Sequence, residues 1–126
     1  MIDHIVLPVS DFTKAKKFYA DVLSTISATL LADFSDDETK GAGFGQNGKP
    51  AFWIVEDKKA PGLPLHIAFS ARKRAEVDAF YQAALLAGGK DNGAPGIREH
   101  YHPNYYAAFM CDLDGNNIEM VCHLPE

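Results

Sequence analysis

The feature that most constrains the fold of this chain is an internal repeat, in which one pattern of residues is written twice. His4-Ile5 matches His66-Ile67, and Phe18-Tyr19 matches Phe80-Tyr81, in both cases 62 positions further along the chain. In each half, a short strand pattern of alternating bulk precedes a helix pattern with apolar residues at three- and four-residue spacings. The repeat predicts two similar modules, each opening with a strand and a helix.

The rest of each half completes the module. Three further strand-like stretches follow each helix pattern, so each half is predicted to fold as β-α-β-β-β, an α+β arrangement. Module one spans about 1–56, a Pro- and Gly-containing linker about 57–64, and module two about 65–123. In module two, 88–96 is predicted as a loop and about 98–100 as a strand. The full length, 1–126, suits a single domain.

Composition argues against several kinds of partner. The formal charge is −5 and the longest basic run is Arg72-Lys73-Arg74, so the attraction on which nucleic-acid affinity depends is weak. No window holds the roughly 18 apolar residues of a membrane-spanning helix, and the N-terminus lacks the basic and apolar segments of a signal peptide. We therefore expect no nucleic-acid partner, no membrane partner and a cytoplasmic location.

Strand parity predicts which side chains face a ligand. Successive side chains of a strand point to opposite faces. In the first strand every second side chain from Ile5 to Val9 is bulky, so these side chains share one face, and His4 lies on the other. By the same argument His66 and Glu119 lie on the face turned away from the helices.

These three residues allow two interpretations. Two imidazoles and one carboxylate on a shared concave face can hold a divalent metal and leave coordination positions open for a substrate. Singly, a strand histidine is more often a hydrogen-bonded structural residue, and a glutamate near a C-terminus is more often solvated. From parity alone, a metal site and a structural role both remain open for His4, His66 and Glu119.

Four segments of the chain resemble the vicinal oxygen chelate superfamily, which contains glyoxalase I, extradiol dioxygenases, fosfomycin-resistance enzymes and bleomycin-binding proteins. The segments are Asp3 to Asp11, Phe18-Tyr19, Leu65 to Phe69 and Asp112 to Glu119. The resemblance extends over nearly the whole chain. Within the superfamily, the chain most resembles the small bacterial glyoxalase-like proteins.

The resemblance implies a fold and a site. The fold is a pair of βαβββ modules that form a curved, cavity-enclosing sheet, often in a homodimer. Carried over by position, the metal ligands are His4, His66 and Glu119, and Glu119 is also the catalytic carboxylate. The implied cofactor is a divalent metal ion (Zn, Fe, Mn or Ni), and the implied partner is a small-molecule substrate.

The fourth ligand of glyoxalase I has no counterpart in this alignment. Matching the hairpin glycines Gly48 and Gly115 places Phe52 opposite Glu119 and turns Trp53 toward the core. Glyoxalase I uses two metal-bound glutamates as acid and base, so the resemblance argues against lactoylglutathione lyase activity. Extradiol dioxygenases and fosfomycin enzymes share the set of two histidines and one glutamate.

A polar and aromatic stretch supplies the candidate pocket residues. It runs from Arg98 to Tyr106, and little of it has the pattern of a core strand. The predicted substrate pocket consists of Phe52, His100, His102, Tyr105 and Tyr106. His100 and His102 would share a strand face and could bind a metal themselves, although substrate contact or an interface is the preferred interpretation.

Two functions follow from these features. The first is a metal-dependent enzyme acting on a small molecule with vicinal oxygens, by the reaction of a lyase, isomerase, transferase or dioxygenase. The second is a metal-free small-molecule-binding protein of the bleomycin-resistance type, which the aromatic residues near Tyr105 favour.

Overall fold

The computed structural model describes residues 1–126, which divide into two compact units. The first unit is Met1–Leu63 and the second is Pro64–Glu126. No helix in the chain combines the length and the apolar character that crossing a bilayer requires.

The first unit is one helix on a four-stranded sheet. Its elements are β1 (Ile5–Val9), α1 (Phe12–Leu23), a 3-10 turn (Ser24–Ile26), β2 (Thr29–Ser35), β3 (Lys40–Gln46) and β4 (Lys49–Glu56). The strand order is β1-β4-β3-β2, with β1 parallel to β4 and the other neighbours antiparallel.

The second unit repeats this plan. Its elements are β5 (His66–Ser70), α2 (Arg74–Leu86), β6 (Lys90–Ile97), β7 (Tyr106–Cys111) and β8 (Asn117–Cys122). The strand order is β5-β8-β7-β6, again with one parallel pair, β5 and β8. This order confirms the predicted α+β class and the two βαβββ modules.

Helix α1 follows directly from its sequence. The Asp11 carboxylate accepts a hydrogen bond from the backbone N–H of Lys14 at 3.1 Å and so caps the N-terminus. Its buried side chains recur at three- and four-residue spacings and are Phe12, Ala15, Phe18, Tyr19, Val22 and Leu23. Helix α2 buries a narrower apolar face, made of Val77, Phe80 and Ala84.

The position of β6 corrects the sequence prediction. The strand occupies Lys90–Ile97, most of which was predicted as loop, and residues 98–105 form the turns that lead to β7. β6 is an edge strand whose register with β7 shifts on both sides of Gly93. Edge strands and bulges tolerate the glycines and the proline that break a regular strand pattern, which explains the error.

A second correction concerns the β3–β4 hairpin. Phe44 pairs with Phe52 but Gly45 pairs with Pro50, so β4 carries one extra residue at a bulge. The β7–β8 pairing has no such shift. Because one residue moves every later side chain of a strand to the other face, an alignment based on the hairpin glycines is wrong by one position.

The sheet register gives the true correspondence between the modules. Val6 pairs with Trp53, and Ala68, which is 62 positions after Val6, pairs with Glu119. Trp53, rather than Phe52, therefore occupies the position equivalent to Glu119. Phe52 is only 4% exposed and packs on Tyr19 of α1, with ring centroids 4.9 Å apart.

The bulge makes Gly45 a sensitive position. A Cβ at Gly45 would overlap the carbonyl oxygen of Lys49, whereas a Cβ at Gly62 would meet nothing within 4 Å. We expect Gly45→Ala to lower the free energy of unfolding by about 2–3 kcal/mol through overpacking, and Gly62→Ala to change it by less than about 0.5 kcal/mol. Urea denaturation of both variants measures the difference, and equal midpoints would contradict the tight bulge.

Candidate functional site

The second unit has a sheet face that α2 does not cover, and polar residues gather on it. Ala68, Glu119 and Phe109 are neighbours across β5, β8 and β7. Since side chains alternate between faces, His66 and Tyr105 belong to the same face. This face contains two of the three residues that the sequence predicts as metal ligands.

The Glu119 carboxylate is the centre of the arrangement. Glu119 is only 2% exposed, and each of its oxygens has a partner. The His66 Nε2 atom lies 2.8 Å from Oε2, and the Tyr105 hydroxyl donates a hydrogen bond to Oε1. The carboxylate is therefore fixed in one orientation, while the His66 side chain stays 54% exposed and accessible to a ligand.

Tyr105 acts as a hydrogen-bond donor in this arrangement. Burial, followed by the hydrogen bond and the negative charge of Glu119, raises the pKa of Tyr105 to about 12. The hydroxyl is therefore protonated at neutral pH and offers its proton to Glu119. It orients the carboxylate without competing for the side of Glu119 that faces His66.

The His66–Glu119 pair has a donor set suited to a metal ion. Zinc–nitrogen and zinc–oxygen bonds of about 2.0–2.2 Å at tetrahedral angles place two ligand atoms about 3.4 Å apart. The observed separation of Nε2 and Oε2, 2.8 Å, is that of a hydrogen bond, so the two atoms would move apart slightly to share an ion. An imidazole nitrogen and a carboxylate oxygen also form a common donor set for divalent metals, so the two residues fit two positions of such a site.

The remaining predicted ligand, His4, lies in the first unit. It precedes β1, is exposed, and places its Nδ1 atom 2.7 Å from an Asp3 carboxylate oxygen. The hydrogen bonds to Asp3 from Lys49 and then His4 lower the pKa of the Asp3 carboxyl to about 2. Within neither unit do three or more His, Cys, Asp or Glu side chains converge as a metal-holding group.

Several predicted pocket residues form an aromatic cluster beside Glu119. Tyr101 contacts Tyr105 at 5.1 Å and His100 at 4.1 Å, measured between ring centroids. His123 packs edge-on against Tyr105 at 5.0 Å and lies 5.9 Å from His102. His100 and His102 reach this cluster from the turns after β6 and not from a strand.

Two predicted pocket residues lie elsewhere. Tyr106 points to the helix side of the sheet, where its hydroxyl donates to an Asp78 oxygen of α2 at 2.6 Å. The Arg74 guanidinium lies 5.2 Å from the centre of the Tyr106 ring on that same side. Phe52 belongs to the core of the first unit, so neither Tyr106 nor Phe52 joins the group around Glu119.

The predicted pocket residues did not include Phe109, and Arg98 was named only as the first residue of the polar and aromatic stretch. The Phe109 ring lies 6.2 Å from the His66 ring, and the Arg98 guanidinium lies 5.4 Å from the Phe109 ring. Phe109 could have been found by parity, because it follows Tyr105 at an even spacing along the same strand direction. Arg98 could not, because its position depends on the unexpected course of β6.

Comparison with known proteins places these features in context. The family model described as Glyoxalase/Bleomycin resistance protein/Dioxygenase superfamily matches residues 1–120. A search of curated protein sequences finds no match to this chain.

Solved structures share the fold at low sequence identity. A glyoxalase/bleomycin resistance protein from Albidiferax ferrireducens T118 has a TM-score of 0.71 at 24% identity, with 95% of this chain and 97% of that chain covered. A glyoxalase I mutant from Zea mays has a TM-score of 0.74 at 20% identity, covering 95% of this chain and 46% of that one.

A third relative carries ligands. A mutant of the fosfomycin resistance protein FosX from Listeria monocytogenes, in complex with Mn(II) and 1S,2S-dihydroxypropylphosphonic acid, has a TM-score of 0.71 at 21% identity. It covers 96% of this chain and 90% of its own.

The raised tyrosine pKa values predict a loss of stability at alkaline pH. The hydrogen bond to Asp78 and burial raise the pKa of Tyr106 to about 12, as burial and Glu119 do for Tyr105. An unfolded tyrosine releases its proton near pH 10. The stabilisation is therefore complete below about pH 10 and is lost as the pH rises toward about 12.

Replacing Tyr105 by phenylalanine removes one of these two contributions. We expect the free energy of unfolding of Tyr105→Phe to fall less steeply between pH 10 and 12 than that of the wild-type protein. Tyr106→Phe, which acts on the opposite face of the same sheet, serves as the matched variant and should show a similar reduction. Denaturant titrations across this pH range make the measurement, and a wild-type slope in Tyr105→Phe would refute the Glu119 contact.

Proposed function

Because the chain belongs to the glyoxalase/bleomycin resistance protein/dioxygenase superfamily, we propose that it is a metal-dependent enzyme acting on a small molecule with vicinal oxygens. The contact between His66 Nε2 and the buried Glu119 carboxylate at 2.8 Å carries this proposal. The FosX relative, solved with Mn(II) and a compound carrying adjacent hydroxyl groups, supports it.

The proposed ligands are His66 and Glu119 of the second unit; His4, which the sequence also predicts as a ligand, belongs to the first unit. His66 and Glu119 would hold a divalent ion, which would supply Lewis-acid polarisation of the substrate oxygens. Tyr105 keeps the Glu119 carboxylate in place through the hydrogen bond to Oε1, in the way that outer partners commonly orient metal ligands. The low exposure of Glu119 limits competition from water for its oxygens.

The register of the first unit argues against a symmetric glyoxalase I reaction. That reaction, as the family resemblance implies, employs a carboxylate from each module as acid and base. In this chain the indole of Trp53 occupies the position equivalent to Glu119. We therefore propose a reaction in which Glu119 is the single carboxylate at the metal, and not lactoylglutathione isomerisation.

A metal-free binding protein is the second candidate, and the aromatic cluster favours it. Tyr101 is 62% exposed and presents its ring next to Tyr105 and His100, as expected of a surface that stacks on a planar compound. The Glu119 carboxylate also has protein donors on both oxygens, so the face is complete as a polar network without further partners.

Metal binding by tag-free protein tests the first candidate. We expect one equivalent of Mn, Fe, Ni or Zn per chain by elemental analysis and calorimetry, and loss of binding in His66→Ala and Glu119→Gln. His102→Ala is the matched control, since His102 belongs to the same unit and makes no contact with Glu119. Equal binding by wild type and His66→Ala would overturn the proposal.

Tyr105→Phe measures the orienting role of the hydroxyl. Removing the partner of Glu119 Oε1 should weaken metal binding by about 10- to 100-fold while leaving one equivalent at saturation. Calorimetric titration at pH 7 gives both quantities. An unchanged dissociation constant would mean that the tyrosine does not orient a metal ligand.

Fluorescence titration in chelator separates the two candidates. The binding protein retains its affinity for catechol and related planar compounds without metal, whereas the enzyme loses it. Tyr101→Ala should lower the chelator-resistant affinity only if the aromatic cluster is the binding surface.

A further inference from the structure

We propose that Arg98 binds a negatively charged group of the substrate, so that the substrate is an anionic compound with vicinal oxygens. This inference rests on the proposed function for the position of the oxygens, and on the surroundings of Arg98 for the charge. It assigns to Arg98 a role in substrate specificity.

The Arg98 guanidinium is held in one place by the backbone of β6. Its Nη1 group donates to the Gly96 carbonyl oxygen at 2.8 Å, and its Nη2 group donates to the Ala94 carbonyl oxygen at 2.7 Å. The Phe109 ring lies 5.4 Å from its central carbon. Two hydrogen bonds and an aromatic surface fix a group that is otherwise flexible.

Two glycines make the space that the guanidinium occupies. A Cβ at Gly96 would lie 3.1 Å from Nη1, and a Cβ at Gly93 would lie 3.2 Å from Nη2 and 3.0 Å from the Phe109 ring. Larger residues at either position would push the guanidinium away from its carbonyl partners. The irregular glycine-containing course of β6 thus provides a place for Arg98.

The positive charge of Arg98 has no carboxylate partner. Arg72 pairs with Glu76 and Arg74 with Glu126, but none of the ion pairs in the chain includes Arg98. The two carbonyls are neutral, and several of the guanidinium N–H groups remain to be satisfied. A planar guanidinium with free N–H groups is the side chain best suited to a carboxylate, phosphonate or phosphate.

Arg98 lies on the same face as the proposed metal ligands. Phe109 is a neighbour of both, because its ring lies 5.4 Å from the Arg98 guanidinium and 6.2 Å from the His66 ring. Phe109 is also the cross-strand neighbour of Glu119. A substrate that lies across Phe109 would place its oxygens at His66 and Glu119 and its anionic group at Arg98.

The negative charge of the chain makes a local cation such as Arg98 more important for binding an anion. The chain carries a formal charge of −5, so its general field repels anions. An anionic substrate consequently needs a local cation, and Arg98 supplies one on this face.

A matched pair of probes tests the inference. Catechol and 3,4-dihydroxybenzoate both carry adjacent hydroxyls, but only the second is an anion at pH 7. Calorimetry with Mn(II)-loaded wild-type protein should give at least about tenfold tighter binding of 3,4-dihydroxybenzoate, which corresponds to ~1.4 kcal/mol.

Three variants test whether Arg98 causes the preference for the anionic probe. Arg98→Gln should abolish the preference by lowering the affinity for 3,4-dihydroxybenzoate to that for catechol, and Arg98→Lys should retain part of the preference. Arg74→Gln is the matched control, because Arg74 also lies over an aromatic ring, that of Tyr106, but on the helix side of the sheet; it should keep the full preference. Circular dichroism melting curves establish that each variant is folded.

The outcomes distinguish this inference from the proposed function. An Arg98-dependent preference for the anion that persists in chelator, in protein that binds no metal, would support the anion site and reject the metal enzyme. Metal binding that depends on His66, combined with no preference for the anion, would support the metal enzyme and reject the anion site. The inference would be overturned if the wild-type protein bound both probes with equal affinity or bound neither. It would also be overturned if Arg98→Gln kept the full preference.

Discussion

The candidate site depends on how a carboxylate is accommodated inside a sheet. Glu119 is in a strand whose neighbouring side chains are almost all buried, where an unpaired charge would be strongly destabilising. His66 and Tyr105 offset this cost with one contact to each oxygen, and both reach Glu119 because β5, β7 and β8 keep a regular register. Removing either residue is therefore expected to change both the stability of the fold and the orientation of the Glu119 carboxylate.

Much of the fold could be predicted from the sequence because the repeat and the apolar alternation are strong signals. The two βαβββ modules follow from patterns that any half-buried strand and amphipathic helix must satisfy. The same parity argument placed His66 and Glu119 on one face, and the structure brings them to 2.8 Å. These residues belong to strands with regular pairing, where a period of two is reliable.

The errors concentrate where pairing is irregular. The extra residue in β4 exchanged the faces of Phe52 and Trp53, and the glycine-containing strand β6 was mistaken for a loop, which hid the place of Arg98. Tyr106 is a separate error: it follows Tyr105 directly, and adjacent side chains of an extended chain point to opposite faces, so the two tyrosines do not share the pocket. Bulges and edge strands depend on tertiary pairing, which local sequence does not specify.

The bulge in β4 also says something about how repeated modules diverge. A regular strand displays one set of side chains to its helix and the other to solvent or ligand, and a single inserted residue exchanges the two sets beyond the insertion. The hairpin absorbs the added length, so the module keeps its topology while Trp53, in place of Phe52, comes to lie on the face away from the helix. Duplication supplies two equal faces, and one insertion is enough to change which side chains one of them displays.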